Sequence, residues 1–161
     1  SLLLFSLIIM EIKAEYMESL NEALNKLGLR STRQREVVYS IVAEAKDHPT
    51  ADEIFVQSRQ LIPTISLATV YNCLETLLEC SLVRQVNFER ESTRYEANLK
   101  PHAHFYNDET GQVMDVHLPE NLLGQLKNLL PESTSVARVE LNFRGRLQDQ
   151  SQSSAINPNK T

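Results

Sequence analysis

The sequence predicts an α+β chain in two units, a larger helical one that ends in a β-hairpin and a smaller α/β one. Three observations carry this. As far as Cys80, apolar residues recur at three- and four-residue spacing in four stretches separated by turn residues. After Ser81 the period changes to two, with polar turns at 89–92 and 107–111 between short alternating runs. Between the units, Asn98-Leu99-Lys100-Pro101 reads as a linker (98–101), its conformations limited by Pro101.

A chain of 161 residues with 42% apolar content holds one domain or two small ones. Its formal net charge of -5 argues against indiscriminate coating of nucleic acid but leaves a local basic surface open. Cys73 and Cys80 lie seven residues apart on one expected helix. That is about 10 Å of rise, too far for a disulfide. No C-x-x-C pair occurs, which excludes a cysteine zinc site and fits a reducing cytoplasm. Ser1 to Met10 is apolar but short for a membrane span, and it lacks the basic start and cleavage site of a signal peptide. Residues 1–15 are therefore expected to be a start-site artefact or a frayed extension, and no membrane partner is expected.

The first helix is expected from Glu15 to Leu27, with Tyr16, Leu20, Ala23, Leu24 and Leu27 inward and Gly28 as its C-terminal stop. Thr32 or Ser31 caps the second helix, whose buried face is Val37, Val38, Ile41 and Val42. Lys26, Arg30, Arg33 and Arg35 crowd this junction with no acid before Glu36. They read equally as a phosphate clamp at a helix N-terminus or as a solvated charge run. Thr50-Ala51-Asp52-Glu53 opens the third helix as a capping box, with Ile54, Phe55 and Leu61 as core candidates.

After Leu61-Ile62-Pro63-Thr64-Ile65, Ser66 caps the fourth helix, to Cys80. Leu67, Val70, Leu74, Leu77 and Leu78 form its apolar side. The other side begins with Ala68, Thr69, Asn72 and Cys73, with Tyr71 at its edge and no acid before Glu75. An ordinary amphipathic helix reads this way, and so does a surface that approaches phosphates and base edges. The neighbouring sequence favours the second. A turn and a helix precede it, and a hairpin of 82–88 and 93–96 follows it, which makes a helix-turn-helix with a wing. The winged-helix unit is placed at 16–97.

In the second unit, His102 to Tyr106 and Gln112 to Val116 are expected strands. Pro119 to Leu130 is an expected helix with Leu122, Leu123, Leu126, Leu129 and Leu130 on one side, and Val136 to Phe143 a third strand. A unit of this size (102–145) is too small for a self-sufficient core, so pairing with a second copy is the expected remedy. The Ser/Gln/Asn-rich residues 146–161 are expected to be a disordered tail.

Histidines carry the chemistry. His102 and His104 are two apart on one strand, so their rings leave the same face, and Asp115 on the facing strand can reach it. Glu96 ends the wing and His48 lies at a helix junction. Three imidazoles and two carboxylates suit Fe²⁺, Mn²⁺, Zn²⁺ or Co²⁺, although a strand His-x-His also occurs as a plain hydrogen-bonded pair. His117 has no evident companion. No nucleophile triad or Gly-rich phosphate loop appears, which argues against an enzyme.

These readings meet in a resemblance to the ferric uptake regulator (Fur) family of dimeric bacterial repressors. It is carried by L-G-L-R-S-T-R-Q-R from Leu27, H-P-T-A-D-E-I-F from His48, S-L-A-T-V-Y-N from Ser66, T-R-Y-E from Thr93, and H-A-H with G-Q-V-M-D-V from His102. The resemblance implies a regulatory metal site on His48, Glu96, His102, His104 and Asp115. It also implies major-groove contact by Tyr71 with Ser66, Ala68, Thr69 and Asn72 beside it, and a minor-groove contact from Lys26. Arg33 joins this set from the basic junction.

Asn107 and Thr110 stand where members carry the first C-x-x-C pair of a structural zinc site, and nothing after Phe143 replaces the second; structural zinc is predicted absent. Loss of both pairs looks like the iron response regulator subgroup, which responds to haem, although Ala103 stands where that subgroup has a third histidine. The expected function is a homodimeric repressor of an A·T-rich palindromic double-stranded DNA site, controlled by one divalent metal per subunit. That metal is Fe²⁺ or Mn²⁺, with Zn²⁺ as an alternative occupant, and it is held between the domains. A haem-responsive regulator and a metal- or haem-binding interaction module that never touches DNA are the alternatives.

Overall fold

The computed structural model describes residues 2–148, with side chains from residue 14 onward. The chain divides into two compact units, Ser1–Lys100 and Pro101–Thr161.

The first unit begins with α1 (Leu2–Lys26), which starts well before the expected Glu15 and runs through the segment expected to be an extension. Gly28, at φ 69°, ends it, and the Leu29 amide returns to the Leu24 carbonyl at 3.0 Å in a Schellman closure. α2 (Arg33–Glu44) is capped by Thr32, whose Oγ1 accepts from the Arg35 amide at 3.3 Å. α3 (Ala51–Leu61) carries a full capping box: Thr50 Oγ1 accepts from the Glu53 amide, and Glu53 accepts from the Thr50 amide. α4 (Leu67–Glu79) is capped by Ser66, whose Oγ accepts from the Thr69 amide at 3.1 Å. A second Schellman closure, Leu82 amide to Leu77 carbonyl at 3.0 Å, ends α4 with Ser81 at φ 57° in place of the usual glycine.

The four helices meet in one core. Leu20 and Leu24 from α1, Val38 and Val42 from α2, Ile54 from α3, and Val70, Leu74 and Leu77 from α4 are buried together with Val83 and Tyr95. At about 1.5–3 kcal/mol per buried aliphatic side chain, this cluster is what makes the four helices hold together. Three expectations are corrected here. Leu27, expected inward at the end of the first helix, is exposed, because it lies past the last turn of α1 beside Gly28. Leu61, placed in the core by periodicity, is exposed at the C-terminal end of α3. Cys73, assigned to the outward face of α4, is buried, because it falls between Val70 and Leu77 on the inner stripe. Both cysteines are free.

The hairpin of β1 (Arg84–Val86) and β2 (Arg94–Glu96) is shorter than expected and pairs Arg84 with Glu96 and Val86 with Arg94. Its tip is a turn from Phe88 to Glu91, closed by the Glu91 amide on the Phe88 carbonyl at 3.2 Å. Arg90, at φ 63°, occupies the third position, where a turn of this kind favours glycine. A non-glycine residue there costs about 1–2 kcal/mol.

The second unit is a three-stranded sheet in the order β4-β3-β5. β3 (His102–Asn107) and β4 (Val113–His117) are antiparallel, joined by a turn in which Gly111 takes φ 70° and Asn107 Oδ1 accepts from the Glu109 amide at 2.9 Å. α5 (Glu120–Lys127) is three residues shorter at its end than expected and buries no residue fully; Leu129 is 80% and Leu130 44% exposed. The third strand also falls elsewhere: β5 (Asn142–Gly145) runs parallel to β3, while Val136 to Leu141 is irregular. Arg144 pins β5 to the turn, its Nε donating to Asp108 Oδ1 at 2.7 Å and its guanidinium lying over the Tyr106 ring at 4.6 Å. The polar tail expected from residue 146 falls from 149 onward outside the described residues.

Candidate metal centre and nucleic-acid interface

In the second unit the expected histidines converge. β3 turns His102 and His104 to one face, and the register sets His104 directly opposite Asp115. Their Nε2 atoms are 3.0 Å apart, and Asp115 Oδ1 lies 3.4 Å from His102 and 3.6 Å from His104. An ion held at about 2.1 Å separates neighbouring donors by about 3.0 Å in an octahedron and about 3.4 Å in a tetrahedron. Two imidazoles and a carboxylate at these distances fit such an ion, and the donor set is of borderline hardness. His117 pairs with His102 in register and is exposed.

In the first unit His48 and Glu96 are both buried and paired, Nε2 to Oε2 at 3.1 Å. The backbone explains how residues 48 apart in sequence meet. The segment after His48 adds to the edge of β2: the Tyr95 amide donates to the Pro49 carbonyl at 2.9 Å, and Thr50 bridges Arg94. Arg94 Nη1 donates to the His48 carbonyl at 2.9 Å. Sequence reading gave Arg94 no role; its place two residues before Glu96 was the available signal. Each unit thus holds one preformed set of its own, His48 with Glu96 in the first and His102 with His104 and Asp115 in the second.

The expected DNA-reading face is also in the first unit. Ala68, Tyr71 and Asn72 are exposed on α4, Tyr71 by 45%, and Thr69 is half-buried. Ser66 Oγ and Thr69 Oγ1 lie 2.8 Å apart, so both hydroxyls are engaged at the cap of the helix. Lys26 ends α1 and Arg33 opens α2, and both are exposed. Arg35 is different. Its Nη1 donates to the Arg30 carbonyl at 2.8 Å, so it braces the junction. Burial pushes the Cys73 thiol above its ordinary value, with Arg35 acting in the opposite sense. Burial likewise raises Tyr95, helped by the nearby Tyr71 and Glu75 and opposed by a hydrogen bond from Gln85. The root of the wing thus packs on α4, with Tyr95 buried in the same core as Val70, Leu74 and Leu77.

A helical unit with a capped, carboxylate-poor face and a wing, followed by a strand-borne histidine–carboxylate cluster, defines a ligand-responsive DNA-binding regulator. Residues 26–144 match the ferric uptake regulator family, and the chain belongs to it: a family of metal-responsive, DNA-binding transcriptional regulators, not enzymes. It is 30% identical over 123 residues to the peroxide-responsive repressor PerR of Staphylococcus aureus, covering 76% of this chain and 81% of that one. It is 33% identical over 98 residues to the protein of the same name from Staphylococcus epidermidis, covering 61% of this chain and 65% of that one. Among solved structures, the Campylobacter jejuni peroxide stress regulator is similar with a TM-score of 0.62 at 27% identity, covering 73% of this chain and 87% of that one. The Helicobacter pylori ferric uptake regulator Fur shares the fold with a TM-score of 0.71 at 22% identity, covering 89% and 96%. Among the described residues no helix is long and apolar enough to cross a membrane.

Proposed function

We propose that this chain is a cytoplasmic, homodimeric repressor whose hold on an A·T-rich palindrome is set by one divalent metal per subunit, iron or manganese in the cell. The observation that carries the reading is the convergence of His102, His104 and Asp115 at metal-ligand spacing on one face of a sheet. His48 and Glu96 complete the ligand set from the DNA-binding unit. Ligands drawn from both units make the orientation of the reading helix depend on occupancy. A ligand that favours one orientation shifts the population by its differential affinity. When bound, the metal supplies a positive charge that holds imidazole and carboxylate donors together. Tyr71, with Ala68, Thr69 and Asn72, reads base edges, and Lys26, Arg33 and Ser66 meet the backbone or minor groove.

Peroxide is a second signal worth carrying, favoured by the peroxide-responsive repressors among the relatives. In that reading hydrogen peroxide would give one oxygen atom to a ligating imidazole and leave as water, and the oxidised ring would no longer serve as a donor. The relatives thus favour peroxide over the haem-responsive alternative that the lost cysteine pairs suggested. The proposal includes no structural zinc on cysteine pairs, because Asn107 and Thr110 supply no thiol and the two cysteines both lie at the fourth helix.

The test is DNA binding titrated with Mn²⁺ or Fe²⁺ for the parent, His48→Ala and His104→Ala. Both variants should need far more metal. If both respond like the parent, the ligand assignment is wrong. Mass spectrometry of the iron form after peroxide should place the added oxygen on a peptide holding His48, His102 or His104; a Soret band on haem addition would instead return the haem reading.

A further inference from the structure

We infer that His117 is a fourth metal donor on the β3–β4 hairpin. With His102, His104 and Asp115 it closes a four-ligand site for Zn²⁺, which sets zinc apart from the ion shared by both units in the reading above. The inference rests on that metal-binding reading and adds a residue outside its five ligands.

The first observation is register. The antiparallel pairing sets His102 opposite His117 and His104 opposite Asp115. Directly paired residues leave the same face of a sheet, so four donor-bearing side chains stand there as a two-by-two array. Direct partners have Cβ atoms about 4.5–5.5 Å apart, and diagonal neighbours such as His104 and His117 are about 7–8 Å apart, still within reach of an aromatic side chain. In the fold His117 therefore gains the companions that its place in the sequence does not show.

The second observation is the shape of the cluster. His102 and His104 have Nε2 atoms 3.0 Å apart, and Asp115 Oδ1 lies 3.4 and 3.6 Å from them. Three donors separated by about 3.4 Å form one face of a tetrahedron around an ion at about 2.1 Å, with the fourth corner open. The ladder limits what the hairpin can offer to that corner. The next pair on the same face is Tyr106 with Val113, both buried. Valine has no donor atom, and the Arg144 guanidinium covers the Tyr106 ring at 4.6 Å. At the other end of the array His117 is exposed, and among the described residues no hydrogen bond or ion pair engages it. Exposed side chains change rotamer in picoseconds to nanoseconds, so the ring can turn inward at little cost.

The third observation is the donor chemistry. Zn²⁺ is satisfied by four nitrogen and oxygen donors in a tetrahedron, and three imidazoles with one carboxylate are such a set. Mn²⁺ prefers octahedral surroundings, so it draws on His48 and Glu96 as well. His117 thus makes the hairpin complete for one metal and leaves it incomplete for the other.

The experiment compares the full-length parent, His117→Ala, His48→Ala and His104→Ala. Zn²⁺ and Mn²⁺ affinities are measured by competition with a chromophoric chelator, and Co²⁺ spectra report coordination geometry. In His117→Ala the ratio of Zn²⁺ to Mn²⁺ affinity should fall by about tenfold or more, since losing a ligand costs at least as much as losing an outer-shell partner. In His48→Ala the same ratio should rise by about tenfold or more. Co²⁺ absorbs strongly in the visible when four-coordinate and weakly when six-coordinate. The strong band should appear in His48→Ala and be missing in His117→Ala. Because His117 is exposed, the metal-free melting temperature of His117→Ala should match the parent's. A parental ratio and Co²⁺ spectrum in His117→Ala, alongside a His104→Ala that binds both metals weakly, would overturn the fourth donor and leave the five-ligand reading intact. If His104→Ala also binds both metals like the parent, the ligand assignment itself fails and takes this inference with it.

Discussion

Replacing His104 by alanine removes one of the donors that β3 aims at Asp115, and its effect can be worked through. The imidazole is buried, with Nε2 3.0 Å from that of His102 and 3.6 Å from Asp115. Loss of an outer-shell partner of a metal ligand costs about 10–100-fold in affinity, and a ligand itself should cost at least the upper figure. At a metal concentration about 100 times the parent's Kd, binding stabilises the fold by about 2.7 kcal/mol. After a 100-fold loss the same concentration equals Kd, and the stabilisation falls to about 0.4 kcal/mol. At about 2–4 °C per kcal/mol for a chain of this size, the Mn²⁺-induced rise in Tm should shrink from about 5–11 °C to about 1 °C. Thermal melts with and without Mn²⁺ measure this directly. A variant that keeps the parent's full metal-induced rise would show that His104 is a structural histidine. An unchanged variant without metal, together with the lost rise, would assign the effect to binding and not to packing.

Three further outcomes follow from the first unit. Ser66→Ala should cost about 1 kcal/mol of stability through the lost cap; Ser66→Asp should restore the stability but weaken DNA binding further, because it sets a carboxylate against phosphates, and paired urea melts and anisotropy titrations separate the two. Tyr71→Ala should change stability by less than about 0.5 kcal/mol, since the ring is largely exposed, while DNA affinity drops by about tenfold or more. Alkaline pH should destabilise the fold. Burial raises the Cys73, Tyr39 and Tyr95 values above the ordinary 9.0 for the thiol and 10.0 for the phenols. The folded state therefore keeps protons that the unfolded state has released, so this stabilisation is complete below pH 9.0 and is lost as pH rises through the raised values. Urea midpoints should fall in that range, and Cys73→Ala should delay the onset; a flat profile refutes the assignment.

How much of this was legible in the sequence depended on where the determining contacts lie. Thr32, Thr50 and Ser66 act on amides three residues away; Thr50 and Ser66 cap as read, and the structure selects Thr32 over Ser31 for the second helix. The inner stripe of α4 was legible for Val70, Leu74 and Leu77 but not for Cys73, because a small residue at a boundary angle gives the periodicity little weight. Reading failed most in the second unit beyond His117. The Leu-rich run ending in Leu130 has the right spacing for a longer helix, yet nothing within the described unit covers its end. Val136 to Phe143 alternates like a strand, but β5 begins only at Asn142, the stretch that pairs with β3. Alternation reports a half-buried face; it does not supply the strand that must lie alongside. Likewise His48 and Glu96 could be nominated from residue type, whereas the edge pairing of Pro49 and Thr50 with β2 that unites them left no local pattern.

The metal cluster of the second unit shows how a short-range device can decide a functional site. Side chains alternate along β3 and β4, so a slip of one residue in their pairing would move Asp115 out of register with His104 and turn one set of donors to the opposite face. The register is fixed by the turn between them. Gly111 supplies the positive φ, the Asn107 amide donates to the Gln112 carbonyl at 2.9 Å, and Asn107 Oδ1 holds the Glu109 amide. From the other side, the His104 amide donates to the Leu141 carbonyl at 3.1 Å, and Arg144 ties β5 to Asp108 within the same turn. Asn107 and Arg144 bind no metal themselves, yet they set whether three donors from two strands meet on one face. Variation at the turn should therefore tune metal affinity without touching a ligand, and the site is better described as a property of the hairpin than of the histidines alone.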